Sequence, residues 1–170
     1  MAGSIDRSRR KFLTGRVGPD EAGVRPPWTR APALTRCTGC GACVDACPQR
    51  ILGLVAGLPQ VDFARAECTF CGACAEACPE PVFDCTLEPA FPHRAAIGES
   101  CFARSGIVCQ SCRDACPETA IRFVLRVGGP ALPVLSPEAC TGCGACIAVC
   151  PAAAIAPLHE SAQPQEAGHA

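Results

Sequence analysis

A chain of 170 residues with a formal charge of −1 has room for one or two small domains, and its 49% hydrophobic content overstates its core. Ala and Cys inflate that figure, because Val, Ile, Leu, Met, Phe and Trp together number only 37. Small domains this poor in bulky side chains lean on metals or disulfides, and no 18-residue apolar stretch is present to span a membrane.

Residues 1–33 read as a basic, flexible arm. Gly18, Pro19, Gly23, Pro26 and Pro27 break it up, leaving at most one short helical turn. Its first thirty residues hold seven basic groups against three acids, so it suits an acidic partner or the acidic body behind it. Ser8-Arg9-Arg10-Lys11-Phe12-Leu13 looks like a twin-arginine export motif. The following Thr14-Gly15-Arg16-Val17-Gly18-Pro19-Asp20-Glu21 supplies no apolar run, so export by this segment alone is not expected and a solvated basic arm is the default reading.

From Leu34 onward the chain is organised by cysteine. Three runs share the spacing C-x2-C-x2-C-x3-C-P: Cys37, Cys40, Cys43, Cys47; Cys68, Cys71, Cys74, Cys78; and Cys140, Cys143, Cys146, Cys150. This is the bacterial-ferredoxin pattern for cubane 4Fe-4S clusters. A fourth group, third in chain order, is Cys109, Cys112 and Cys116 with its first member set back. That member is Cys101 or Cys85, and the shorter loop favours Cys101. Cys85 is then the odd thiol, expected as a small buried filler. An odd total of 17 argues against a disulfide scaffold. A tetrahedral zinc site would leave the third cysteine of each run without a role.

Between the first two runs, Ile51–Val55 turns at Ala56-Gly57 into Gln60–Phe63. Between the last two, Ile121–Leu125 turns near Gly128-Gly129-Pro130. Both read as hairpins. The expected fold is α+β: two tandem bacterial-ferredoxin-like modules at residues 34–88 and 89–159, with two clusters each. Pro81–Ser100 reads as a linker, and residues 160–170 as a disordered tail.

In two-cluster ferredoxins the fourth cysteine of each run serves the other run's cluster. Cys37, Cys40 and Cys43 would therefore join Cys78, and Cys68, Cys71 and Cys74 would join Cys47. Likewise Cys101, Cys109 and Cys112 would join Cys150, and Cys140, Cys143 and Cys146 would join Cys116. Gly39, Gly41, Gly72, Gly142 and Gly144 would let backbone N–H groups reach cluster sulfur. With a cysteine for every iron, no position stays open for Lewis-acid work on a substrate. One-electron transfer or cluster donation remains, and no catalytic residue is expected. His93, His159 and His169 lie outside every run.

Ser8-Arg9-Arg10, Leu13-Thr14-Gly15-Arg16 and Gly23-Val24-Arg25-Pro26-Pro27-Trp28, followed by four runs with an irregular third, resemble the NapF family of ferredoxin-type proteins. The resemblance spans about Ser8 to Pro151. It implies a cytoplasmic protein that binds the precursor of the periplasmic nitrate reductase catalytic subunit and assists its maturation before export. The arm, with Arg9, Arg10, Phe12 and Trp28, would dock that client. Trp28 fits equally as a cover on a module's flank. The alternatives are a plain electron-transfer subunit fed by an unidentified donor, or a cluster store.

Overall fold

The computed structural model describes residues 23–159; the rest of the arm and the expected tail lie outside the described residues. Among the described residues, five one-turn helices and six short strands follow one another. In the first half these are α1 (Ala31–Leu34), α2 (Ala42–Asp45), β1 (Leu52–Val55), β2 (Leu58–Val61) and α3 (Ala73–Glu76). The second half holds β3 (His93–Ile97), α4 (Ser111–Asp114), β4 (Ile121–Arg126), β5 (Gly129–Leu135), a 3-10 turn at Pro137–Ala139, α5 (Ala145–Ala148) and β6 (Ile155–His159).

The strands form three antiparallel pairs: β1 with β2, β3 with β6, and β4 with β5. Both predicted hairpins are present. In the first, Ala56 and Gly57 both take positive φ, 51° and 79°, the backbone of a tight I′ turn whose twist matches its strands. Leu52 then faces Val61 across the pair. The second is longer: Ile121 faces Leu135, and a register shift lies between Val124 and Arg126.

Two segments depart from the sequence reading. Residues 93–97, inside the expected linker, form β3 and pair with β6 from His93–His159 to Ile97–Ile155. Arg94, Ala95 and Ala96 carry no apolar alternation, so the strand is made by its partner rather than by its own pattern. The partner lies some sixty residues away in sequence.

Among the described residues the first half has no such outer pair. Its edge is closed by the described end of the arm. Val61 N–H donates to Val24 O at 2.7 Å, Trp28 N–H to Ala90 O at 2.9 Å, and Asp84 N–H to Trp28 O at 2.9 Å. The Arg25 guanidinium donates to Pro59 O at 3.1 Å. Residues 23–30 are therefore part of the folded body, not a free arm.

Two small apolar cores result. One gathers Val24, Ile51, Leu52, Val61, Phe63 and Phe91 with Cys43 and Cys74. The other gathers Ala95, Ile121 and Ile155 with Cys112 and Cys146. Cysteine is thus a core residue here as much as a ligand. Ile147 on α5 packs against both cores and ties the halves together.

Candidate metal centres

Each one-turn helix after α1 begins just before the third cysteine of a run and ends before the fourth. In three of the four runs the residue ahead of the helix is a glycine with φ of 80–84°, Gly41, Gly72 or Gly144. A left-handed residue there swings the chain so that the first three thiols curl round one space. In the irregular run Gln110 stands at this point with φ −135°. The loop of residues 102–108 is closed instead by Ile107 N–H to Phe102 O at 2.8 Å.

Four cavities follow, each lined by four cysteines. Site 1 is lined by Cys37, Cys40, Cys43 and Cys78, under Leu54, Val82 and Phe83. Site 2 takes Cys68, Cys71, Cys74 and Cys47, with Trp28 and Phe70. Site 3 takes Cys101, Cys109, Cys112 and Cys150, with Phe102 and Phe123. Site 4 takes Cys140, Cys143, Cys146 and Cys116, with His93. Each encloses between about 330 and 410 Å³ of empty space, part of it open to solvent. Sixteen cysteines are brought together in the four crossed sets that the ferredoxin rule pairs.

Cys101 lines site 3 and Cys85 lines none of the four. The expectation of a buried Cys85 is corrected: the thiol is exposed. Its neighbour Asp84 accepts hydrogen bonds from Thr86 N–H at 3.1 Å and Thr86 Oγ1–H at 2.6 Å, a local turn that holds Cys85 at its outer corner.

The donor chemistry fits a cluster better than a single ion. A tetrahedral ion with sulfur at about 2.3 Å needs four tightly converging sulfurs. Among the described residues no group of three or more His, Cys, Asp or Glu converges in that way. Cavities with sulfur only at their walls suit a group of several atoms. Cys116 Sγ accepts Ala120 N–H and Cys150 Sγ accepts Ala154 N–H, both at 3.3 Å. Such bonds to ligand sulfur raise cluster potentials.

Burial works against charge on the third thiol of each run. It pushes Cys74 and Cys146 up to about 12 and Cys112 to about 11, with neighbouring cysteines adding to the rise. Cys43 rises from the same causes, burial first, and Cys68 is pushed to about 11. Loading must therefore displace protons, and the metal supplies the positive charge that the protein does not.

His93 is the residue that sequence reasoning passed over. It is buried, with its Nε2–H donating to Gly142 O at 2.9 Å and its Nδ1 left without a partner. The rings of Phe91 and Phe63 pack against it, tilted, at 4.9 and 5.7 Å between centroids. Burial drives its pKa down to about 4, so the ring is neutral at pH 7. Its only sequence signal was an aromatic, Phe91, two residues ahead in a stretch read as linker. Trp28 takes the covering role: half-buried, its ring meets Phe70 edge-on at 6.1 Å.

Residues 36–82 and 107–154 each match the 4Fe-4S dicluster domain, Fer4_7. The chain is 44% identical over 154 residues to the ferredoxin-type protein NapF of Escherichia coli K12, covering 89% of this chain and 94% of the relative. It is 41% identical over 160 residues to the ferredoxin-type protein NapF of Haemophilus influenzae, covering 86% and 91%. With two dicluster domains and identity along nearly the whole length of these relatives, the chain belongs to the NapF family of ferredoxin-type 4Fe-4S proteins.

Proposed function

We propose that this protein is a cytoplasmic accessory ferredoxin that binds the precursor of the periplasmic nitrate reductase catalytic subunit and assists its maturation before export. It would do so by supplying electrons or clusters. In this reading two ferredoxin-like modules, residues 34–88 and 89–159, carry one cluster in each of sites 1 to 4. The observation that carries it is the closed donor set of each cavity. Four thiolates per site would hold a cubane at every iron, leaving no iron open to act on a substrate as a Lewis acid, and in this reading the protein is not itself an enzyme.

The bound cluster supplies reversible exchange of one electron. The protein's part is to hold it and tune it. Phe70 and Trp28 cover site 2, Phe83 and Leu54 cover site 1, and Phe102 and Phe123 cover site 3. Apolar cover of this kind limits water at the sulfur and helps set the potential. Among the described residues, no helix is long and apolar enough to cross a membrane. Client binding is assigned to the basic arm with Arg9 and Arg10; Trp28 is left out of that role, since its ring packs at site 2.

The test is an anaerobic pull-down with the client precursor, followed by iron and EPR analysis of both partners. Iron passing to the client identifies a cluster donor, and altered spin signals with iron retained identify a reductant. Arg9→Ala with Arg10→Ala should weaken binding and leave iron content intact. Absence of binding by the unaltered protein overturns the maturation role in favour of a plain electron carrier.

A further inference from the structure

The two halves meet at an unusual point. Cys68 N–H, at the entrance to site 2, donates a 2.8 Å hydrogen bond to Cys143 O, in the loop of site 4. A cysteine lining one cavity is thus bonded through its main chain to a cysteine lining another, in the other half of the molecule. Around this bond the packing is close. A Cβ on Gly144 would come 2.1 Å from the Phe63 ring, and one on Gly142 would come 2.9 Å from His93 O and 3.1 Å from Phe91 Cβ. The missing side chain at Gly144 lets Phe63 of the first half lie against the site 4 loop, and that at Gly142 leaves room for Phe91 and His93 beside it.

Within each half a second adjacency holds. Helix α2, carrying Cys43, packs on α3, carrying Cys74, and α4, carrying Cys112, packs on α5, carrying Cys146. Sites 1 and 3 have no share in the junction. Neither Cys68 nor Cys143 lines site 1 or site 3.

We propose that the Cys68–Cys143 junction joins the four sites into a single line, in the order 1, 2, 4, 3, with sites 1 and 3 as its two ends. The inference rests on the reading that each cavity holds a cluster. An electron crossing the junction leaves site 2 oxidised by one and site 4 reduced by one, or the reverse, and no bond or proton changes hands. Electron tunnelling falls off steeply with separation, so passage between the halves is confined to this pair. Phe63, Gly142 and Gly144 act as positioning residues for it.

The test is EPR on the full chain, loaded anaerobically and reduced with dithionite. With Cys40→Ala and Cys109→Ala weakening the outer sites, the inner pair should keep a spin–spin split, fast-relaxing spectrum. With Cys71→Ala and Cys140→Ala weakening the inner sites, the outer pair should give two narrow, isolated signals. Iron analysis of the unaltered chain separates a failure of loading, which would sink the cluster reading itself, from a failure of order. Isolated inner signals or coupled outer ones overturn the line. Should those changes strip all iron, the four-site protein decides. There Gly144→Ala should weaken coupling between the halves, and adding Phe63→Ala should restore part of it. Coupling indifferent to both changes overturns the junction.

Discussion

The two halves hold the same kind of site by different means. In the second half, β3 and β6 pair as an outer ribbon and close the fold around sites 3 and 4. Among the described residues of the first half there is no such ribbon, and residues 23–30 are threaded between β2 and the 84–90 segment through main-chain hydrogen bonds. The cysteine cavities are nevertheless alike in make-up and similar in size. What the halves share is the run, the one-turn helix and the hairpin. The closing element is interchangeable, so the thiols and their cargo, rather than the outer strands, define the site.

That conclusion can be broken most directly by removing the cargo. Anaerobic extraction of the clusters with acid and chelator should abolish native far-UV circular dichroism in both halves, because metal binding is folding free energy in so small a core. A second half that kept its amide protection through β3–β6 would show that the outer ribbon is self-sufficient, and the comparison would have to be rewritten.

A smaller effect is expected from Phe91→Ala. Phe91 is fully buried and meets Phe63, Phe70 and His93. Its truncation should cost about 3–5 kcal/mol in an anaerobic denaturant titration. Because the ring sits at the meeting of the halves, signals from both should shift together. A shift confined to the first half would mean that the two unfold as separate bodies.

The mildest effect is one of pH, and it falls on the second half. Folded His93 takes its proton only near pH 4, whereas an unfolded histidine takes it near pH 6.5. The native state therefore holds its full advantage above pH 6.5 and loses it as pH falls toward 4. Thermal melts across that window should show the loss, and His93→Gln should flatten it. An unchanged slope in the variant would assign the acid sensitivity to other groups.

Much of this was legible in the chain because ligand spacing is a local, periodic signal. The four runs, the crossed sets and both hairpins could be read from offsets of two, three and about twenty residues. The choice of Cys101 over Cys85 also followed from a local quantity, the length of loop to be closed. What could not be read depended on distant partners. β3 owes its form to residues 155–159, and the buried state of His93 depends on Phe63 and Gly142, far apart in sequence. The exposure of Cys85 turned on a single turn-forming carboxylate beside it. Trp28 was balanced between anchor and cover, and the structure packs its half-buried ring edge-on against Phe70 at site 2.

The place of Trp28 has an optical consequence. It is the only tryptophan in a chain that contains no tyrosine, and its side chain lines site 2 and no other of the four cavities. Intrinsic ultraviolet emission above 300 nm comes from this one ring. An iron–sulfur group is a broad absorber that drains excitation from an indole beside it, so the protein carries a built-in lamp over one site of four, dim when that site is filled and bright when it is emptied.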